Sequence, residues 1–184
     1  MRIFARACLL ALLSIPVAAP AFSQEQNAQK TTGQKNAPAM RATELTDEDS
    51  GTVVERPEGW VAGKSGKGVI ATLRPAGDSK AQIEVRVSSH VKPKQAEFFF
   101  TSFHSNLQKA GFSKKEVEES AVYGDKKGIE TEYETTTKKR NFSLIVWQYQ
   151  HKDSAYLVVG FFPEKKRDQY YDDFKTVIEN LSFK

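Results

Sequence analysis

The sequence predicts an α+β domain, a mainly antiparallel β-sheet covered by two helices. Three observations carry this. Between residues 52 and 162, short apolar or alternating segments recur, separated by turn-forming residues. Two longer segments repeat their apolar residues at three- and four-residue spacing, the period of an amphipathic helix. All the Trp and Tyr residues, and all Phe except Phe4 and Phe22, lie within 51–184, which is long enough for one domain with one core.

Taken in order, residues 52–56 form a short strand that stops at the turn signal Pro57-Glu58-Gly59. Segments 69–73 and 81–91 alternate, with Ile83, Val85 and Val87 facing one way and Glu84, Arg86 and Ser88 the other. Pro75-Ala76-Gly77-Asp78 supplies turn chemistry between them. A helix follows over 94–110, closed by Gly111, its stripe made of Ala96, Phe99, Phe100, Phe103, Leu107 and Ala110. Strands are then expected at 117–123, 128–137, 142–150 and 155–162. In the second of these Ile129, Thr131 and Tyr133 oppose Glu130, Glu132 and Glu134, which predicts one solvated face. The last two are the most apolar and are expected to lie centrally, covered on both faces. A second helix over 164–181 presents Tyr170, Phe174, Val177, Ile178 and Leu181 on one side.

Ahead of this domain, residues 1–23 read as a secretory signal. Arg2 and Arg6 give a basic start, residues 7–17 an apolar run, and Ala21-Phe22-Ser23 a small-residue site with cleavage expected before Gln24. The run is shorter than the roughly 20 apolar residues of a membrane-spanning helix. Cys8, the only cysteine, precedes the cleavage point, where a lipid anchor cannot use it. The expected product is periplasmic or secreted, with no membrane span, no cysteine and no disulfide. Export excludes most ATP-driven and nucleic-acid chemistry. Residues 24–50 lack aromatics and are rich in Gln, Asn, Thr, Lys and Ala, so they are expected to be a flexible linker. Losing Arg2 and Arg6 takes the net charge from +4 to about +2, which points to no particular polyanion.

The element order, together with Pro57-Glu58-Gly59-Trp60 and the closing pattern Tyr171-x2-Phe174-x3-Ile178-x3-Ser182-Phe183, resembles the PsbP-like fold family over 51–184. That resemblance implies an α/β/α sandwich and a non-catalytic protein that works by contact. The family includes a lumenal subunit of the photosynthetic oxygen-evolving complex, bacterial envelope lipoproteins and a nuclear adaptor for a small GTPase. Shared fold therefore predicts architecture better than activity. This chain departs from the lipoproteins in lacking their cysteine.

Several catalytic patterns fail on spacing. Gly63-Lys64-Ser65-Gly66-Lys67-Gly68 is not a phosphate loop, because Glu58 occupies the position of its first glycine. It is not a nucleophile elbow either, since Lys67 stands where glycine is required. His90, His104 and His151 have no paired-ligand spacing, and Glu130, Glu132 and Glu134 read as a solubilising face, so no metal, cofactor or catalytic residue is expected. Asn141-Phe142-Ser143 and Asn180-Leu181-Ser182 match the glycosylation pattern, idle in a bacterium.

Two constellations point to binding. If strands 142–150 and 155–162 pair as a hairpin, Lys138, Lys139 and Arg140 come to the same end of the sheet as Lys165, Lys166 and Arg167. Six cations there suit an acidic envelope protein, lipid phosphates or an anionic cell-wall polymer. The second triplet opens a helix, where the macrodipole disfavours cations, so its presence hints at use. Alternatively, Phe98, Phe99, Phe100 and Phe103 line a groove between helix and sheet that carries a small apolar ligand. The expected function is an exported accessory or binding module of the bacterial cell envelope.

Overall fold

A computed structural model describes residues 44–63, 66–135 and 141–184. The expected signal, linker residues 24–43, Lys64, Ser65 and the triplet Lys138-Lys139-Arg140 lie outside the described residues. Among the described residues, ten strands and two helices follow in the order β1 (Glu44–Asp47), β2 (Thr52–Glu55), β3 (Trp60–Ala62), β4 (Val69–Pro75), β5 (Gln82–Ser88), α1 (Pro93–Lys109), β6 (Phe112–Tyr123), β7 (Lys126–Thr135), β8 (Phe142–His151), β9 (Ser154–Pro163), α2 (Arg167–Glu179) and β10 (Ser182–Phe183). A short 3₁₀ turn, Glu164–Lys166, leads into α2.

Seven strands form one antiparallel sheet in the order β3-β4-β5-β9-β8-β7-β6, and β1-β2-β10 form a second, smaller one. β9 and β8 are central, as their apolar sequences predict: 154–160 are buried without interruption, because both faces are covered. One face packs under α2 and the small sheet, where Val54, Leu73, Ile83, Val85, Trp147, Tyr156, Val158 and the stripe of α2 share a core. The other face carries Tyr133, Leu144, Val146, Leu157 and Val159 beneath α1. The layers are thus helix, sheet, helix, the α/β/α sandwich expected.

The Pro-x-Gly-Trp motif has a structural job. Gly59 takes φ 77°, a conformation glycine adopts freely, and the turn returns Trp60 N–H to the Pro57 carbonyl at 3.2 Å. Trp60 then meets the edge of Tyr170 at 5.6 Å and donates to Asp173 at 2.9 Å, fastening β3 to α2. At the far end of α2, the buried Lys126 ammonium donates to the Glu179 carbonyl at 2.9 Å, a cation where the helix dipole favours one. β6 closes the sheet as an edge strand with two register irregularities, and residues 114–120 are all exposed.

Three expectations need correction. The linker was expected to run to Ser50, but β1 lies inside it and pairs with β2, so order begins before Gly51. The strand expected at 117–123 starts at Phe112. The face of β7 expected to be wet is covered: Glu130 and Glu132 are buried, and only Glu134 is exposed. The cause is α2, which lays Arg167 and Tyr171 over them.

Candidate functional site

The register Phe142↔Pro163 brings the start of β8 beside the end of β9, and Glu164 N–H donates to the Asn141 carbonyl at 3.0 Å. Asn141 and Glu164 thus lie side by side at a cleft of about 480 Å³ between the β4–β5 turn and the entry to α2, while Lys138, Lys139 and Arg140, the other half of the expected patch, lie outside the described residues. The described triplet does not act there as a unit. Lys165 is exposed on the cleft wall. Lys166 pairs with Asp78 at 2.7 Å, and Tyr170 donates to the same carboxylate at 3.0 Å. The Lys166 hydrogen bond, helped by the backbone N–H of Lys80, holds the Asp78 carboxyl down at about 2. Arg167 turns inward, to Glu132 at 3.1 Å and Asp168 at 3.1 Å, with its guanidinium 4.2 Å from the centre of the Tyr171 ring. Three neighbouring cations thus serve three addresses.

The buried carboxylates form a closed cluster. Tyr123 and Tyr171 donate to the two Glu130 oxygens at 2.6 and 2.8 Å. Burial pushes the Glu130 carboxyl up, and the two tyrosine donors bring it only part of the way back. Tyr171 is itself pushed up to about 12, chiefly by burial. Glu132 is also buried, but Arg167, Lys115 at 3.2 Å and the Ser143 hydroxyl at 3.1 Å outweigh that and hold its carboxyl below the usual range. Every oxygen of both carboxylates has a partner, and α2 lies on top. The geometry docks a helix onto the sheet.

The histidines stay apart. His90 lies exposed beside Asp153 at 3.1 Å, and His151 stacks on Phe183 at 4.3 Å between ring centres. His104, on α1, accepts from the Tyr133 hydroxyl and donates from Nε2 to Gln148 at 2.7 Å. Burial moves its pKa below 6.5, so the ring is neutral at pH 7 with its proton on Nε2. Among the described residues no three His, Cys, Asp or Glu side chains gather as a metal site.

The open feature is on the α1 face. α1 covers β9 through β6 and leaves uncovered the outer row of β5, with Gln82, Glu84, Arg86 and Ser88 half-exposed. Where helix meets open sheet runs a groove of about 580 Å³. Its helix wall holds Phe98, Phe99 and Phe103, and its floor Arg86 and Ser88. Phe98 is 74% exposed. Arg86 pairs with Glu84 through Nε and sits 5.6 Å from the Phe103 ring centre. Phe99, Phe100 and Phe103 all pack against the sheet cluster, as the apolar stripe of the helix predicts, and Phe98, Phe99 and Phe103 also border the groove. Arg86 and Lys94 were not anticipated as lining. The only local signal for Arg86 was its place on the polar row of β5.

No family model matches the chain, and no curated protein matches its sequence. Solved structures do. Cyanobacterial PsbP (CyanoP) from Synechocystis superposes with TM-score 0.59 at 12% identity, covering 82% of this chain and 98% of the other. LpqN, involved in cell envelope biogenesis of Mycobacterium tuberculosis, gives 0.55 at 12%, covering 76% and 88%. A Bacteroides thetaiotaomicron protein gives 0.54 at 11%, covering 79% of this chain, which spans only 49% of that one. At such identities what is shared is the fold.

Proposed function

We propose that this chain, which carries the PsbP-like fold, is an exported, non-catalytic binding or accessory module of the bacterial cell envelope. It acts in the periplasm or outside the cell by docking an envelope protein through the α1 face. The observation that carries the reading is the groove beside α1: an exposed Phe98 beside the aromatic rings of Phe99 and Phe103 is surface that water disfavours. Lys166 and Arg167, by contrast, pair with Asp78 and Glu132, and Glu130 takes the hydroxyl of Tyr171 on α2. The fold shared with a protein of envelope biogenesis supports the setting. Among the described residues no helix is long and apolar enough to cross a membrane.

The test is photo-crosslinking in the native envelope, from a reactive residue at position 98 and, separately, from the exposed position 172 on α2. A protein adduct from 98 and none from 172 is the expected result. Adducts of small-molecule mass alone would turn the module into a carrier. No adduct from either position would remove the docking role.

A further inference from the structure

The groove follows α1, and its two sides differ in chemistry. Its lining runs along α1 from Lys94 to Asn106, about 18 Å at 1.5 Å per residue, roughly the reach of six extended residues. The helix side is aromatic, the floor and entrance cationic. Arg86 forms an ion pair with Glu84 through Nε, and its guanidinium carbon lies 5.6 Å from the centre of the Phe103 ring that lines the groove. Lys94 stands at the entrance, in a first turn of α1 that holds no acid. Among the described residues that line it, Arg86 and Lys94 carry charge and none is acidic.

We propose that this groove takes a short acidic segment of a partner protein, with apolar side chains seated between Phe98, Phe99 and Phe103 and carboxylates meeting Arg86 and Lys94. The inference rests on the binding-module reading and specifies its partner. Length argues for a polymer: a compact ligand would leave most of the wall bare. The positive rim selects acidic sequence, and the aromatic wall requires apolar anchors beside it.

Random short peptides displayed on phage, selected against the purified exported chain, test this. Enriched sequences are expected to combine Asp or Glu with Leu, Phe or Trp. Their binding weakens at least about tenfold in Phe98→Ser, in Lys94→Glu and at high salt. Because Phe98 is largely exposed, Phe98→Ser leaves the thermal midpoint in place, and its loss of binding reads the groove and not the fold. Enrichment of basic peptides, or acidic peptides that bind Phe98→Ser undiminished, overturns the proposal. So does Phe98-dependent binding to phosphatidylglycerol vesicles with no peptide enriched, or Phe98-dependent pairing of two copies. A protein crosslink from position 98 without acidic–apolar enrichment would leave the module reading standing and end this one alone.

Discussion

α1 and α2 lie on opposite faces of one sheet, and both are amphipathic, yet they bury very different amounts. α2 buries Tyr170, Phe174, Val177 and Ile178; α1 buries only Ala96. The difference lies in what each helix meets. Under α2, residues without side chains make room. A Cβ at Gly128 would lie 2.6 Å from the Trp147 ring, and one at Gly160 2.6 Å from Phe162 and 3.0 Å from Phe174. The small sheet then flanks α2 and seals its core. α1 meets only part of its face of the sheet, and among the described residues no further element packs on its open side. An apolar stripe announces that a helix has something to bury; the opposite surface decides how much is buried and how much is left for a partner.

Truncating one phenylalanine on each side should expose that contrast most strongly. Phe174→Ala is expected to cost about 3–5 kcal/mol in urea unfolding and Phe99→Ala about 1–2 kcal/mol. Equal losses would mean that α1 is as tightly seated as α2. A smaller effect is expected at the polar seam of α2. Arg167→Ala leaves the buried Glu132 with one cation, Lys115, and should cost about 2 kcal/mol. In Arg167→Ala/Glu132→Gln the loss should be less than the sum of the two single losses, as expected of partners.

The finest probe is pH. His104 has a lowered pKa in the folded state, so its contribution to stability is present above 6.5 and lost as pH falls through the folded value. Protonation at Nδ1 also takes from the buried Tyr133 hydroxyl the acceptor it has among the described residues, beside the positive charge of Lys114. Glu130 has a raised pKa, so its contribution is full below 4.5 and lost as pH rises through its folded value. Between these limits acidification should loosen α1 and tighten α2. Hydrogen exchange, corrected for the intrinsic rate, should rise about threefold to tenfold in α1 and fall or hold in α2. Parallel changes in both helices would show that the faces respond as one body.

Most of this architecture was legible in local periodicity. Ile83, Val85 and Val87 lie inward as their alternation predicts, and both helices occupy their apolar-spaced segments. What escaped was set by distant partners. Glu130 and Glu132 alternate like a solvated face, and nothing nearby reveals that Arg167 and Tyr171, some 35 and 41 residues on, will cover them. Glu44–Asp47 has linker-like composition and is ordered by backbone pairing to β2. Lys165, Lys166 and Arg167 look like one patch in sequence, but a helical start sends successive side chains in different directions, toward the cleft, Asp78 and Glu132. Phe98 was visible as the aromatic off the stripe; its cationic neighbour Arg86 comes from another element.

β6 has a further consequence. Twelve residues of strand at the rim of a sheet are long enough to template another strand, the first step toward fibrous aggregates. This rim is unfit for that use. Lys114, Lys115, Glu116, Glu118 and Glu119 would have to be stripped of water by any incoming chain, and the two irregularities break the evenly spaced ladder that such a chain would follow. Copies of the chain that meet at this rim therefore do not join their sheets through it, and contacts made there fall to side chains rather than to the backbone.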